Sequence, residues 1–401
     1  MKRKKKVLIT GILGQDGANM AEYLLLGQKK EDYKVYGMMR RSANPNFKNT
    51  HKFKNHPNFE FVVGDLTDQN SLDNIVESIE PDYFINFAAN SFVGVSWDMP
   101  LHVMDTNASG VIRCLEAIRK FKKECKFYSA GSSEEWGDVD YSPQDIDHKI
   151  KPRSPYGASK AAARHIVKVY RESYGMYAVH GILFNHEGTK RGEEFVTRKI
   201  TKNVARIKKQ LSDPELKIVP MELGNLDAKR DWSDSEDFVK GVWLMLNQED
   251  SERRGEFNKA FEELWEHYKN HGVALGGSDI EGIARESAIP LIKDYILSSG
   301  ETHSIREFVE KAFSYAEISG EWKGEDLEEK FITKVNKKEI TLVKINPKFF
   351  RPAEVELLLG DCTPIKKELG WKPKISFDKL VRRMVEFDLN EQASNSQVYC
   401  K

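Results

Sequence analysis

An apolar run near the N-terminus that ends in three spaced glycines most constrains how this chain can fold. Residues 7–10 have the composition of a buried strand, and a helical pattern of apolar residues spans 18–26. Gly11, Gly14 and Gly17 lie between them. This order predicts a dinucleotide-binding unit, because glycines let the backbone approach a pyrophosphate at the helix N-terminus. A plain strand-to-helix turn is the alternative.

Further strand-like runs alternate with helical patterns along the first part of the chain. They span residues 33–39, 59–63, 83–87 and 125–129. Strands that alternate with helices at such intervals predict a parallel sheet with helices on both faces. The expected fold is therefore α/β, with a doubly wound parallel sheet of the Rossmann type.

Residues at the ends of these predicted strands indicate the cofactor. Arg40 and Arg41 follow the second strand. An acidic residue there would bind the ribose of NAD, whereas arginines suit the 2′-phosphate of NADP. Two solvated surface arginines are the alternative. After the third strand, the Asp65 carboxylate would accept a hydrogen bond from the adenine amino group, and Leu66 would cover the ring.

Small residues follow the fourth predicted strand. Ala88 and Ala89 would let the cofactor lie against the backbone. NADP is the expected cofactor. The predicted cofactor-binding residues are Thr10, Gly11, Gly14, Gln15, Asp16, Gly17, Arg40, Arg41, Asp65, Leu66, Ala88, Ala89, Tyr156 and Lys160.

Tyr156 and Lys160 indicate a chemical function. They stand four residues apart among good helix formers, so they would share one helix face. A phenol with a pKa of about 10 is a poor base at neutral pH, but a lysine cation one turn away stabilises the phenolate. Such a pair can take a proton from a hydroxyl during hydride transfer. An exposed helix face is the alternative, because so short a pattern also occurs by chance.

Polar residues follow the fifth predicted strand. Ser132 and Glu134 stand where open α/β sheets bind ligands, at the carboxyl ends of the strands. They are expected to point toward the start of the helix that carries Tyr156. Asn107, in a predicted helix over 105–120, would bond either the backbone or a water near the site.

Composition limits the classes of function. The 401 residues include 62 Lys+Arg and 62 Asp+Glu, so the formal net charge is zero. This balance argues against a protein that coats nucleic acid or anionic membrane. The four cysteines lack zinc-type spacing and are expected to be reduced thiols. The first apolar run is too short for a signal peptide and none is long enough to span a membrane, so a cytoplasmic protein is expected.

Several motifs occur in a fixed order along the chain. They are the glycine turn from Thr10, Gly64-Asp65-Leu66, the serine segment before Tyr156, and residues 181–187, 191–200, 224–232, 300–308 and 350–355. The first three resemble the extended short-chain dehydrogenase/reductases. The longer motifs resemble the GDP-mannose 4,6-dehydratase family. The resemblance covers nearly the whole chain except about 248–293.

This resemblance implies an NADP-dependent 4,6-dehydration of a GDP-sugar, with GDP-mannose converted to GDP-4-keto-6-deoxymannose as the expected reaction. Tyr156 would take the proton from O4 while C4 gives hydride to NADP. Glu134 would then remove the C5 proton, which the 4-keto group acidifies, and help water leave C6 before hydride returns there. Ser132 would hydrogen-bond O4. Lys160 would hold the nicotinamide ribose and tune Tyr156.

The resemblance also implies a GDP-sugar site beyond the serine segment. Its expected ligands are Asn185, Arg191, Lys199, Arg230, Arg351 and Glu354. Cationic side chains suit a diphosphate, and Glu354 would accept from the guanine N1 and N2 donors. For any one of these residues alone, a surface salt bridge is the default alternative. His186 and Glu187 lack a second histidine at ligand spacing, so no metal is expected.

Two departures from the family pattern concern the sugar. Ser132 stands where the family usually has threonine, and Asn90 stands where it more often has glutamine. A member acting on a GDP-manno-heptose would share every nucleotide-binding motif and is one alternative. An epimerase or reductase is another, which Glu134 disfavours. A catalytically silent, NADP-sensing binding protein is a third, which the intact catalytic residues disfavour.

The resemblance also sets the expected domain organisation. An NADP-binding domain is expected over 1–180 with later returns of the chain, a smaller C-terminal α/β lobe that binds the GDP-sugar over 181–390, and a polar tail over 391–401. An insertion at about 248–293 contains one predicted helix through Phe257 and Tyr268 and another over 278–289. It would pack on its own lobe, or else form a lid or a subunit contact.

A C-terminal helix is predicted over 376–387. The resemblance implies a homodimer or homotetramer, with 41–52 as a contact. Neither nucleic acid nor membrane is an expected partner.

Overall fold

The computed structural model describes residues 3–27, 32–213, 215–250, 254–270, 291–350 and 357–398. The strands are β1 (Lys5–Thr10), β2 (Tyr33–Met39), β3 (Phe59–Val63), β4 (Tyr83–Asn86), β5 (Lys126–Ala130), β6 (Ala178–Leu183), β7 (Asn185–Glu187), β8 (Met221–Leu223), β9 (Lys229–Arg230), β10 (Trp232–Asp234), β11 (Ile296–Leu297), β12 (His303–Ser304), β13 (Glu321–Lys323), β14 (Lys330–Val335), β15 (Lys338–Ile345) and β16 (Leu357–Leu358).

The α-helices of the described residues connect and cover these strands. They are α1 (Gln15–Leu26), α2 (Gln69–Ile79), α3 (Pro100–Met104), α4 (Gly110–Phe121), α5 (Pro155–Tyr174), α6 (Val196–Ser212), α7 (Ser235–Met245), α8 (Arg254–Asn270), α9 (Ile305–Tyr315), α10 (Thr363–Glu368) and α11 (Phe377–Val398).

A seven-stranded sheet in the order β11-β6-β5-β4-β1-β2-β3 forms the centre of one compact unit. All of its neighbouring strands are parallel. Val7 and Ile9 of β1 pack into a core with α1 and α7, while Leu8 packs into another with α2, α4 and α5. Alternate residues of a strand thus face opposite sides, and both sides are covered. The predicted doubly wound parallel sheet is confirmed.

The chain groups into two compact units, each built from three segments. The first comprises 1–184, 235–297 and 360–372, and the second comprises 185–234, 298–359 and 373–401. The second unit contains small sheets formed by β7 with β10, by β12-β9-β16 and by β13-β14-β15-β8. In its apolar core, Trp232 stacks on Phe377 with ring centroids 5.8 Å apart.

Several predicted boundaries differ from those in the structure. Helix α1 begins at Gln15 rather than at 18, with Gly14 as its N-cap. The predicted helix over 105–120 divides into a π-helical turn, Asp105–Ser109, and α4.

The predicted end of the C-terminal helix at 387 is wrong, because α11 continues to Val398. Asp388 explains the continuation. Its buried carboxylate accepts a hydrogen bond from Thr201 (2.7 Å) and pairs with Arg198 (2.9 Å), which ties α11 to α6.

The insertion begins and ends at two residues that bond to each other. Gln248 Nε2 donates to the Lys293 carbonyl (2.7 Å), and Lys293 N donates to Gln248 Oε1 (3.1 Å). The predicted first helix of the insertion is confirmed as α8, from which Phe257 packs into the core that contains Ile292. The predicted helix over 278–289 lies outside the described residues.

Two further findings concern the apolar character of the helices and the state of the cysteines. Among the described helices, none is both long enough and apolar enough to cross a membrane. Cys114, Cys125 and Cys362 are buried free thiols. Burial raises the pKa of Cys114 and of Cys125, so these two thiols stay protonated and unreactive.

Candidate active site

The glycine turn between β1 and α1 forms a close-packed cradle. Gly11 has φ +67°, and an added Cβ would lie 2.9 Å from the Ala88 nitrogen. A Cβ on Gly17 would lie 2.4 Å from the Gly11 carbonyl oxygen. Thr10 Oγ1 donates to Asn86 Oδ1 (2.6 Å) and accepts from Ala88 N (3.0 Å). Glycines are therefore required here, and the turn is fixed to the end of β4.

This cradle fits the diphosphate of a dinucleotide. Gly14 is the N-cap of α1 and offers no side chain to cap it, so the positive end of the helix dipole is open to an anion. Gln15 is buried in the first turn, and its Nε2 donates to Asp16 Oδ1 (3.2 Å). Because backbone rather than side chains lines the turn, a phosphate can approach closely.

The predicted adenosine end lies beyond β2 and β3. Arg40 and Arg41 are exposed after β2, and Leu66 is buried after β3. Asp65 Oδ1 accepts from Thr67 N (2.9 Å) and Thr67 Oγ1 (2.8 Å). Partial burial favours a higher pKa for Asp65, but these bonds and the charges of Arg40 and His102 outweigh it and lower the pKa. Asp65 is thus held as an oriented carboxylate.

A tight turn follows β5 and orients Ser132. Its Oγ accepts a hydrogen bond from Glu134 N (3.2 Å), and its own N–H donates to Glu135 Oε1 (2.7 Å). These two bonds form a capping box on the 3₁₀ turn Ser133–Glu135. Ser132 and Glu135 are buried, whereas the Glu134 side chain is partly exposed. The neighbouring acids therefore have different surroundings.

Helix α5 begins beside this turn. Ser154 is its N-cap and accepts from Gly157 N (3.0 Å), and Pro155 is the first helical residue. A Cβ on Gly157 would lie 2.4 Å from the Glu134 carbonyl oxygen, so the glycine permits this close approach. Tyr156 is buried in the first turn.

Lys160 lies one turn further along the same helix face, as the spacing predicts. Its Nζ is 5.9 Å from the centroid of the Tyr156 ring and donates to the Ala130 carbonyl (2.7 Å). Burial lowers the pKa of Lys160 to about 8, against the opposing charges of Glu135 and Asp16. Within the first unit, Ser132, Glu134, Tyr156 and Lys160 thus surround the start of α5.

Asn107 has the structural role that the sequence left open. Its Oδ1 accepts from Asn90 N (2.8 Å), and its Nδ2 donates to the Asn90 carbonyl (3.1 Å) and to Ser159 Oγ (3.0 Å). Asn90, one of the two residues at which this chain departs from the family pattern, is therefore held to α5 through Asn107.

The predicted GDP-sugar ligands of the described residues lie in the second unit. Asn185 is on β7, beside Trp232 of β10, and Arg230 is buried on β9. Arg351 and Glu354 lie outside the described residues.

Two of these ligands are held against aromatic rings. The Arg191 guanidinium lies 3.6 Å from the Phe195 ring centroid, and the Lys199 Nζ lies 3.5 Å from that of Phe349. Arg191 also pairs with Glu187 (3.0 Å). Burial lowers the pKa of Lys199, against the opposing charge of Glu222, and an anionic ligand beside Lys199 would favour its ammonium form.

Sequence reasoning missed two buried polar residues behind the turn. Glu135 and His180 are both fully buried, with Glu135 Oε1 2.9 Å from His180 Nε2. The signal in the sequence was the repeated acid after Ser132, since two successive side chains of a tight turn do not point the same way. Nothing local in the sequence pairs Glu135 with a residue on β6.

Comparison with solved structures identifies the fold. A dTDP-glucose 4,6-dehydratase from Bacillus anthracis, in complex with NAD, superimposes with a TM-score of 0.69 at 19% identity, covering 97% of this chain and 98% of that one. RMD from Pseudomonas aeruginosa, complexed with NADPH, gives 0.65 at 18% identity, covering 96% and 100%. At these identities the likeness shows the fold alone, and α5 of this fold carries the Tyr156–Lys160 pair.

Sequence comparison is more specific. The family model of GDP-mannose 4,6 dehydratase matches residues 8–269 and 280–384, so the chain belongs to that family and is an enzyme of its hydro-lyase class. GDP-mannose 4,6 dehydratase of Drosophila melanogaster is 39% identical over 98% of this chain and 88% of its own length. The Homo sapiens protein of the same name is 37% identical over 98% and 94%. The family predicted from the motifs is confirmed.

Proposed function

We propose that this chain catalyses the NADP-dependent 4,6-dehydration of GDP-mannose to GDP-4-keto-6-deoxymannose in the cytosol. The main support is the grouping of Ser132, Glu134, Tyr156 and Lys160 around the start of α5, in a chain of this family. NADP, held by the cradle around Gly11, Gly14 and Gly17, would supply the hydride acceptor for C4 of the sugar and the hydride donor for C6.

Tyr156 acts as the base at O4. The Lys160 ammonium lies near its ring and stabilises the phenolate form, which accepts the O4 proton. Ser132 orients the sugar by donating its hydroxyl hydrogen to O4. The bond that its Oγ accepts from Glu134 N leaves that hydrogen available.

Glu134 acts at C5 and C6. Its partly exposed carboxylate takes the C5 proton once C4 is a ketone, and then donates that proton to the departing C6 hydroxyl. One carboxyl group serves as base and then as acid, because it holds the proton between the two steps. Its backbone packs against Gly157, so its position is fixed relative to Tyr156.

The cradle around Gly11, Gly14 and Gly17 binds the NADP diphosphate, and Thr10, Gln15, Asp16, Leu66, Ala88 and Ala89 line the rest of the site. Arg40 and Arg41 bind the 2′-phosphate, because exposed guanidinium groups after β2 suit a dianion. Asp65 accepts from the adenine amino group.

The GDP-sugar is bound by the residues of the second unit. Arg191, Lys199 and Arg230 neutralise the diphosphate, and Asn185 bonds the sugar side of it. The Asn185 Oδ1 supports this role, because it is buried and without a hydrogen-bond partner among the described residues. The predicted ligands Arg351 and Glu354 complete the proposed set, with Glu354 on guanine. A homodimer or homotetramer is the proposed assembly.

The first test is incubation of the pure enzyme and NADP with GDP-mannose and, separately, with a GDP-manno-heptose. Mass spectrometry should show loss of one water from GDP-mannose. Loss from the heptose alone would keep the proposed mechanism but assign the sugar specificity to the region around Asn90 and to the insertion. No loss from either would refute the proposal in favour of a silent, NADP-binding protein.

A second test isolates the role of Glu134. Glu134→Gln should still bind GDP-mannose but should not exchange the C5 hydrogen for deuterium in heavy water. Asp138→Asn is the matched control, because Asp138 is an exposed acid just after the same turn. Unchanged C5 exchange in Glu134→Gln would remove Glu134 from this role.

A further inference from the structure

A buried acid–base pair lies behind the proposed catalytic turn and takes no part in the proposed chemistry. Glu135 and His180 are each 0% exposed. Glu135 Oε1 accepts one bond from His180 Nε2 (2.9 Å) and another from the backbone N–H of Ser132 (2.7 Å). One carboxylate oxygen thus connects β6 to the proposed catalytic serine.

The surrounding backbone is shaped around this pair. An added Cβ on Gly131 would lie 2.3 Å from His180 Nε2 and 2.7 Å from Glu135 Oε1. The Gly131 N–H donates to the Gly181 carbonyl (2.8 Å), which brings the two strand ends together. His180 is fixed in turn, because its N–H donates to Asp294 Oδ1 (2.7 Å). The pair therefore occupies a site that any larger residue at 131 would destroy.

Burying such a pair in a core costs solvation free energy. A carboxylate taken out of water loses several kcal/mol of solvation, and apolar side chains of similar volume often stabilise as well or better. Among the described residues, Glu135 Oε2 and His180 Nδ1 are buried without hydrogen-bond partners. Packing alone does not account for this arrangement.

We propose that Glu135 is a positioning residue, which fixes the backbone of Ser132 through Oε1 and places a negative charge behind the same turn that Lys160 Nζ contacts at the Ala130 carbonyl (2.7 Å). The inference rests on the proposed roles of Ser132 and Lys160. Glu135 itself does not touch the sugar, since its carboxylate is fully buried.

The electrostatics agree with this geometry. Burial lowers the pKa of Lys160, and Glu135 is the largest charge that raises it, followed by Asp16. Burial favours a higher pKa for Glu135 too, but His180, then Arg164 and the Ser132 N–H, outweigh it and lower the pKa. Glu135 is therefore ionised at neutral pH.

Tyr128 is a further titratable group near Glu135. It is buried, and burial raises its pKa, with the negative charges of Asp16, Glu135 and Asp294 adding to the effect. Tyr128 therefore stays neutral at neutral pH, and Glu135 is the charge that opposes the burial of Lys160 most strongly.

Two variants separate charge from hydrogen bonding. Glu135→Gln keeps an acceptor for Ser132 N–H but removes the charge, whereas Glu135→Leu removes both. In either variant the pKa of Lys160 should fall, and the alkaline limb of kcat/KM should move to lower pH by about one unit. Glu135→Leu should also lose about tenfold or more in kcat, because Ser132 is no longer fixed. Should Glu135→Gln fail to fold, Glu135→Leu still tests the charge and the hydrogen bond together, and an unchanged kcat and alkaline limb in it would contradict the proposal.

A readout independent of turnover distinguishes this inference from the proposed function. The protonation midpoint of Lys160 can be followed by NMR of ¹³C-labelled lysine, assigned with Lys160→Arg. It should fall in both Glu135 variants and stay in place in Glu172→Gln, an exposed acid on the same helix. An unmoved midpoint would overturn the inference even in an active enzyme. A moved midpoint in a protein that dehydrates no GDP-sugar would instead overturn the proposed function alone.

Discussion

Arg171 of α5 and Asp294 form a buried ion pair through two contacts, Nη1 to Oδ1 (2.8 Å) and Nη2 to Oδ2 (3.1 Å). Asp294 stands just after the insertion, and α5 carries Tyr156 and Lys160. Asp294 also accepts the His180 N–H, and Arg171 donates to the Ala178 carbonyl (2.7 Å). The segment that follows the insertion therefore meets β6 and α5 at one buried ion pair.

Removing one partner of this pair should destabilise the protein strongly. Asp294→Ala leaves the Arg171 charge buried and unpaired, so the free energy of unfolding should fall by about 3–5 kcal/mol in urea titrations. The matched control is Glu172→Gln, which breaks the exposed Lys168–Glu172 pair of the same helix. That change should cost less than about 0.5 kcal/mol. Equal losses of unfolding free energy in the two variants would contradict the assignment of Arg171 and Asp294 as a buried, stabilising ion pair.

Tyr156→Phe should abolish most turnover while leaving the fold intact. Loss of a general base lowers kcat by about 10²- to 10⁴-fold, and NADP affinity measured by calorimetry should change little. Tyr170→Phe is the control on the same helix, because Tyr170 bonds Glu116 (2.6 Å) away from the proposed site. A Tyr156→Phe enzyme within a few-fold of wild type would remove Tyr156 as the base.

Activity should fall on the alkaline side. Because the folded pKa of Lys160 is about 8, its ammonium form is present below that pH and is lost as pH rises through it. The charge stabilises the Tyr156 phenolate, so kcat/KM should decline through the same range. Lys160→Arg keeps its charge at all these pH values and should flatten the decline, whatever its absolute rate. A wild-type profile level to well above pH 8 would be inconsistent with this role.

The proposed preference for NADP over NAD should depend on Arg40 and Arg41. Replacing both by alanine should weaken NADP binding by about tenfold or more, because each charge-assisted bond contributes roughly 1.5–3 kcal/mol. NAD lacks the 2′-phosphate, so its affinity should change little. Arg119→Ala, which removes an exposed arginine paired with Glu116, is the control. Fluorescence titration with both cofactors measures the ratio, and an unchanged ratio would show that these arginines bind no 2′-phosphate.

Gly157→Ala should impair the enzyme through Glu134. The new methyl group would lie 2.4 Å from the Glu134 carbonyl oxygen, so the turn must move away from α5. We expect a loss of about 1–3 kcal/mol of stability and a lower kcat. Gly255→Ala in α8 is the control, since its Cβ would meet nothing within 4 Å. That change should be neutral or stabilising by up to about 1 kcal/mol.

Much of the first unit was predictable because its signals are local. The strands at 33–39 and 59–63 have the predicted bounds, since apolar runs and flanking turn residues define both ends. The glycine cradle and the Tyr156–Lys160 face also follow from spacing alone.

The rest depends on contacts between residues distant in sequence. The extension of α11 rests on the buried carboxylate of Asp388, which bonds Thr201 on another helix. Glu135, on the turn after β5, pairs with His180 of β6, and no local pattern in the sequence pairs these two residues. Burial of such polar groups is favourable only when the fold supplies the partner, so a single sequence does not reveal it.

The pair of hydrogen bonds between Gln248 and Lys293 has an evolutionary consequence. The two bonds close the insertion where it leaves and rejoins the first unit. The entropy of closing a loop grows slowly with its length, by about 0.6 kcal/mol for each doubling. A change in the length of this segment would therefore cost the parallel sheet little. The family model matches 248–269 and 280–293, so the departure from the family is narrower than the expected 248–293 and is confined to 270–279.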